Sequence, residues 1–299
     1  FTYHLGEKIM TLKESRHERE NEDDWTYPDI DELRAEDRQL DPEVQLVVRD
    51  ARGDVVRRVA GTRGKGFHRT AWDLRHPSEN AVSLSGGDDP DRRTPAGPLV
   101  VPGTYSVSLE LHRDGAVERL AGPESFEVYP LDLATMRADD PKGVLAFAQE
   151  ASELRREVIG AIRAAGEAEN RVRHLRRAIR DTPQARAEHI ERLESVRLDL
   201  EALLVPLRGD ETLSDRERPQ APSISDRIGA VVSGRKNVTS PPTGTHRDQY
   251  RYALEAFGPV LQKLRSVIDR LETLEAELDE LGAPWTPGRV PGGWNTPES

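Results

Sequence analysis

Two kinds of apolar spacing divide the chain. In roughly the first 130 residues, apolar and polar side chains alternate, the period of a strand with one buried face. Gly66 to Arg75 sets Phe67, Arg69, Ala71 and Asp73 against His68, Thr70, Trp72 and Leu74. It predicts a central strand with Trp72 in the core. Phe1–Leu5, Val44–Asp50, Asp54–Val59, Gly103–Leu111, Ala116–Leu120 and Ser125–Tyr129 alternate likewise. Tyr105, Val107, Leu109 and Leu111 point inward in the strongest of them. Gly53 and Asp114-Gly115 mark hairpin turns. Arg52-Gly53-Asp54 spells an integrin-binding tripeptide, but its place in a tight turn makes it a connection. About seven strands with regular turn signals predict an antiparallel β-sandwich of the Ig-like kind.

Two stretches interrupt the alternation. Residues 7–42 are polar and helix-prone over about Glu7–Glu20 and Asp29–Arg38, and read as a helical insertion. Their acidic run, Glu18 to Asp24, reads as a solvated face. Pro77 to Pro98 is a long polar loop.

After Pro130 the period changes. Phe147, Ala151, Leu154, Val158, Ile162, Ala165, Ala168, Val172, Leu175 and Ile179 recur every three or four residues. This predicts a seam-bearing helix to about Arg180, roughly 60 Å long. Asp139 or Asp140 can cap it, with Pro141 in its first turn. A second helix is expected over Pro183–Leu207, and a short one over Ile224–Ser233 capped by Ser223. A last long helix, His246–Leu281, would be capped by Thr245 and kinked at Gly258-Pro259. Short connections imply an up-down-up bundle whose short helix fills the groove left by the shorter second rod. That topology brings Arg171, Arg173, Arg176, Arg177 and Arg180 to face Glu272, Glu275, Glu277, Asp279 and Glu280. The expected organisation is a sandwich over 1–130, an antiparallel helical bundle over 131–282 and a Pro/Gly-rich tail over 283–299. The tail would lie extended on the bundle or be disordered.

Composition narrows the function. The 299 residues are 35% hydrophobic and 32% charged, with a net charge of −11. The acidity is concentrated in residues 1–42, with 6 basic and 13 acidic side chains. No segment is basic, which argues against phosphate-driven nucleic-acid binding. No apolar run approaches a membrane span. There is no cysteine, so disulfides and thiolate metal sites are excluded. No stretch of these residues reads as a signal peptide, and Phe1 already reads as strand. A piece of a longer protein is expected.

Candidate chemistry is sparse. The eight histidines show no metal-ligand spacing, and neither a phosphate loop nor a GxSxG elbow occurs. No catalytic, cofactor-binding or metal-binding residue is assigned, and no cofactor is expected. Asn237-Val-Thr239 matches a glycosylation sequon. The most site-like stretch is Thr239–Tyr250, where Thr243, Thr245, His246, Arg247 and Asp248 offer donors and acceptors beside a rigid Pro/Gly loop. Helix capping and packing between domains is the competing role of these residues.

Three pieces in order carry a resemblance: Phe1-Thr-Tyr-His-Leu-Gly-Glu7, Asp50-Ala-Arg-Gly-Asp-Val-Val-Arg57, and Gly66-Phe-His with Ala71-Trp-Asp73 followed by Pro102-Gly-Thr-Tyr105. Together they resemble the Ig-like domain of bacterial flagellar hook-capping proteins and of C-terminal sorting domains on secreted proteins. The helical insertion and the long loop depart from that pattern. Asp31-Glu-Leu-Arg-Ala-Glu-Asp37, Gly97-Pro-Leu-Val-Val-Pro-Gly-Thr-Tyr105, Pro241-Pro-Thr-Gly-Thr-His246 and Ala283-Pro-Trp-Thr-Pro-Gly288 look like a larger relative. It is the C-terminal region of bacterial secreted proteins with a sortilin-like, neuraminidase-repeat β-propeller. This resemblance implies a propeller upstream of Phe1 in the same protein and a secreted or cell-envelope location. The Ser-x-Asp-x-Gly-x-x-Trp boxes of the propeller are absent, so no functional residue transfers. The expected function is a non-catalytic accessory and protein-interaction module, with that propeller and another protein as the expected partners. The alternatives are a glycosidase- or peptidase-like hydrolase site at the sandwich–bundle junction, using His246, Asp248 or Asp73, and a structural oligomerisation module.

Overall fold

The computed structural model describes residues 1–21, 27–80, 97–131 and 136–290. It is mixed in class, with antiparallel sheets followed by a long helical region. The chain divides into two compact units, a β-rich one reaching Leu145 and a helical one from Ala146 onward.

In the β-rich unit, β2 (Glu43–Asp50), β3 (Val55–Ala60), β5 (Gly103–Arg113) and β6 (Ala116–Val128) form an antiparallel sheet in the order β3-β2-β5-β6. A second sheet pairs β1 (Thr2–Leu5) with β4 (Gly66–Arg69). Register follows the apolar alternation. Val44, Leu46 and Val48 stand opposite Leu111, Leu109 and Val107. Leu5 of β1 joins Val44, Leu46, Leu109 and Leu111 in one apolar cluster. A second cluster gathers Val48, Val56, Val100 and Tyr105. The expected turns form: Asp50 Oδ1 accepts the N–H groups of Arg52 and Asp54, and Gly53 takes φ +90°. Arg52 of the Arg-Gly-Asp tripeptide is paired to Asp50 and Asp54.

The strand expected around Trp72 is shorter than its pattern. Alternation holds through Arg69, with Phe67 82% exposed. Thr70 N–H then donates to Phe1 O, and the chain leaves the sheet, with Leu74 at φ +58°. Residues 74–76 instead pair across the base of the long loop with Pro98, Leu99 and Val100. Trp72 is half-buried and enters the second cluster from a loop. Its ring meets Tyr105 and Phe126 edge-on at 5.7 and 6.2 Å, and its Nε1–H donates to Arg75 O. The two short strands expected over 116–129 are one, β6, whose register shifts opposite Leu109. Six strands are therefore present among the described residues, not seven. Residues 81–96 of the expected long loop, and Glu22–Asp24 of the acidic run, lie outside them.

The helical insertion forms as α1 (Leu12–Asn21) and α2 (Ile30–Arg38). Arg16 bridges Glu20 and Glu36, and Arg19 reaches Glu32. Arg63 ties α1 to the sheet connection through Glu14 Oε2 at 2.6 Å. The hydrogen bond from Thr11 N–H, with Lys8 and Arg63 close by, outweighs burial and lowers the Glu14 carboxyl to about 2.

The helical unit is built from α3 (Pro141–Arg180), α4 (Ala187–Arg208), the single turn α5 (Glu211–Ser214), α6 (Ile224–Arg235) and α7 (Gly244–Glu280). Asp140 caps α3 through Gly143 N–H, and Ser223 caps α6 in a reciprocal box with Asp226. Side-chain pairs fix the directions. Phe147 meets Tyr250 near the start of α3 and α7, and Arg171 meets Glu275 near their ends. These two helices run parallel. Arg192 pairs with Glu277 and Asp199 with Arg270, so α4 descends along the C-terminal half of α7. Arg227 binds Gln249 while Gly234 lies against His246, so α6 descends along the N-terminal half. The short helix fills the length that α4 leaves open. One continuous apolar cluster from Phe147 to Ala283 joins α3, α4, α6 and α7.

Two helix expectations need correction. The second rod begins at Ala187, because Thr182–Ala185 closes a turn in which Thr182 Oγ1 donates back to Ala178 O. α7 runs on through Pro259 as one helix, with Phe257 and Leu264 buried on either side. The two charge clusters meet only in part. Arg171 bonds Glu275 and lies 3.8 Å from Glu272. Glu277 is taken by Arg192, Asp279 by Arg289, and Arg177 and Arg180 turn to Asp181. The described tail, to Val290, folds back on α7: Ala283 N–H donates to Leu278 O, and Arg289 stacks on the Trp285 ring.

Candidate functional site

The stretch singled out in the sequence forms the α6–α7 connection at one end of the helical unit. Its centre is Arg235, the last residue of α6 and only 5% exposed. The Arg235 guanidinium donates to the main-chain carbonyls of Val238, Ser240 and Pro241. The connection therefore wraps a buried cation that has no carboxylate among these partners, and its Nε–H is unpartnered. Burial pulls its pKa below the ordinary arginine value. These carbonyls belong to the connection beyond α6 and bond the guanidinium without an opposite charge.

Thr243, not Thr245, caps α7. Thr243 Oγ1 accepts His246 N–H, and His246 Nδ1 accepts Thr243 N–H, both at 3.3 Å. The acceptor role of Nδ1 makes His246 the neutral Nε2–H tautomer. Burial, then the charge of Arg235, holds its pKa below the usual imidazole value. Thr245 is exposed in the first turn. Arg247 places its guanidinium 5.6 Å from the centre of the Phe147 ring. Asp248 is paired to Arg251 on the same helix at 3.0 Å. His246 and Asp248 are two residues apart on a helix and face different ways. Asp73 belongs to the β-rich unit. The arrangement caps a helix and holds a loop; His246 and Asp248 form no acid–base pair.

A denser polar cluster, missed in the sequence, lies on the second face of the four-stranded sheet. Arg49 donates to Ser108 Oγ at 2.7 Å and to Glu110 Oε1 at 2.9 Å. Ser108 donates to the same carboxylate at 3.0 Å, and His112 Nε2 stands 3.8 Å from its other oxygen. Burial opposes the charge on Glu110, but the bonds from Arg49 and Ser108 prevail and lower its pKa. Ser108 gives its hydrogen to Glu110 and not to His112, so no activated nucleophile results. Val47, on the same face, is fully buried, and His112 Nε2 is buried without a hydrogen-bond partner among the described residues. The signal was present as polar residues at every second position of β5: Ser106, Ser108, Glu110 and His112.

Two surface depressions lie on the helical unit. One of 240 Å³ between α4 and α7 is lined by Glu191, Arg192, Ser195, Val196, Arg270 and Leu274. Its Arg192 and Arg270 are bound to Glu277 and Asp199. The other lies over Asn170, Arg173, His174 and Arg177 of α3 alone. Among the described residues no group of three His, Asp or Glu is placed to hold a metal ion, and no helix is long and apolar enough to cross a membrane. Compared with known proteins, the chain matches no protein-family model, no curated protein and no solved structure.

Proposed function

We propose that this chain is a non-catalytic accessory module. On this reading an Ig-like sandwich and a helical bundle follow a β-propeller in a secreted or cell-envelope bacterial protein, and the bundle serves protein contacts. The observation that carries it is how the helical unit spends its groups. Its charged side chains staple helix to helix, as in Arg171–Glu275, Arg192–Glu277 and Arg270–Asp199. The outer face of α4, by contrast, leaves Ile190, Leu198 and Val205 exposed about two helical turns apart. Glu194, Arg197 and Glu201 pair with one another between these residues, and a face of interspersed apolar and charged side chains suits a protein surface better than a small substrate. The Ig-like part draws support from two antiparallel sheets that share one apolar cluster.

The test is calorimetric titration of this chain with the upstream propeller of the same protein. Binding that is weakened when Ile190 and Leu198 are both replaced by Asp is the expected result. Absence of binding, or binding indifferent to the double substitution, overturns the reading. The same exposed row favours a second reading, self-association of the bundle. Sedimentation velocity at micromolar concentration separates the two, since a monomer removes the oligomer reading.

A further inference from the structure

Two helices of the bundle begin in the same unusual way. At the start of α4, Arg186 N–H donates to His189 Nδ1 at 2.9 Å. At the start of α7, Thr243 N–H donates to His246 Nδ1 at 3.3 Å. In each case a histidine fills the third helical position, where a reciprocal cap ordinarily uses Glu or Gln. An imidazole accepts there only while that nitrogen is bare. A proton turns the acceptor into a donor that faces another donor.

The surroundings of the two rings differ in sign. The carboxylate of Glu277 on α7 interacts with His189. That carboxylate, also bound by Arg192, sets an anion on the side of His189. His246 packs against Gly234 of α6, so closely that a Cβ there would lie 2.9 Å from Nε2. The next residue is Arg235, buried and held, among the described residues, by carbonyls. On its own helix, Arg247 is drawn toward the Phe147 ring and Asp248 is bound by Arg251. A proton on His246 loses the cap, meets a buried cation and gains no anion.

We propose that His246 is an acid-sensitive latch on the α6–α7 connection. The neutral ring closes the first turn of α7 over Arg235. Protonation releases that turn together with residues 236–243, while the start of α4 stays closed. The depressed pKa of His246 agrees in sign. For a histidine held neutral by the fold, the stabilisation is whole above the ordinary imidazole value and is lost as pH falls through the lowered one.

The experiment is hydrogen exchange by mass spectrometry at about pH 7.5 and about pH 5, on either side of the imidazole range, with intrinsic rates corrected. Residues 236–250 should lose protection several-fold on acidification, while residues 186–195 keep theirs. His246→Gln retains an acceptor at the third position without a titrating ring, so its acid response should vanish. An equal acid response at both helix starts, a response at neither, or a response that survives in His246→Gln overturns the proposal. Should that variant fail to fold, the NMR titration of His246 in the unmodified chain decides. Its midpoint must coincide with the loss of protection, and a mismatch overturns the latch.

Discussion

The helical unit buries its apolar side chains in one unbroken cluster, whereas the β-rich unit divides them between two small ones. The cause is geometric. Rods with an apolar residue every three or four positions present a stripe along their whole length, and parallel or antiparallel neighbours bury all of it. Strands of four residues, such as β1 and β4, present two side chains to a face and close only a patch. The β-rich unit makes up the difference with residues outside its strands, Trp72 and Val100, and with a polar lattice of Arg49, Ser108 and Glu110 on its other face. One unit is specified by a repeating pattern; the other depends on a few individual placements.

The comparison can be broken at either end. Leu271 is fully buried at the centre of the continuous cluster. Leu271→Ala should cost about 2–5 kcal/mol, measured by urea unfolding followed through helical circular dichroism. A loss below about 1 kcal/mol would mean that the cluster is loosely packed. In the β-rich unit the sensitive position is a glycine. A Cβ at Gly97 would fall on the Pro77 carbonyl oxygen, which is backbone and cannot turn aside. Gly97→Ala should cost about 1–3 kcal/mol as overpacking, read by calorimetric melting. A neutral result would show that the base of the loop is not clamped.

Smaller effects sharpen the contrast. Ser223 closes the reciprocal cap of α6, so Ser223→Ala should lower stability by about 1 kcal/mol. Protection of α6 amides is the measurement. The mildest test concerns the insertion. Glu14 has its pKa lowered from 4.5 to about 2. Its contribution is whole above the unfolded value of 4.5 and is lost as pH falls through about 2. Carbon NMR of the Glu14 carboxyl should titrate near that value, and Glu14→Gln should flatten the acid limb of the stability curve. A midpoint near 4.5 would mean that the bonds from Thr11 and Arg63 do not persist.

Legibility differed between the units for the same physical reason. The spacing of Phe147, Leu154, Val158, Val172 and Leu175 announced α3, and Ser223 announced the start of α6. Helix periodicity and capping are local, so a single stretch carries the whole signal. The Trp72 strand was overread. Alternation past Arg69 says which way side chains would point, but not whether a partner strand is there to pair with, and β1 ends before it. Thr245 immediately precedes His246 and would cap a helix that started there. Thr243 holds the place because the first turn of α7 includes Gly244 and Thr245. The His246 box was not foreseen, since histidine is not the usual third residue of such a cap. Arg235, the charge that gives the connection its character, has no distinguishing neighbour in sequence.

What the amino-acid order determined by itself is the set of rods, most strand positions, the hairpins at Gly53 and Gly115, and the parallel pairing of α3 with α7. Each follows from periodicity, turn chemistry or loop length acting over a few residues. Only the tertiary structure decided which cations are buried, which charges of the Arg and Glu clusters meet, and where Trp72 enters the core. Those outcomes depend on what lies across from a residue, and strands or helices distant in sequence supply the other side.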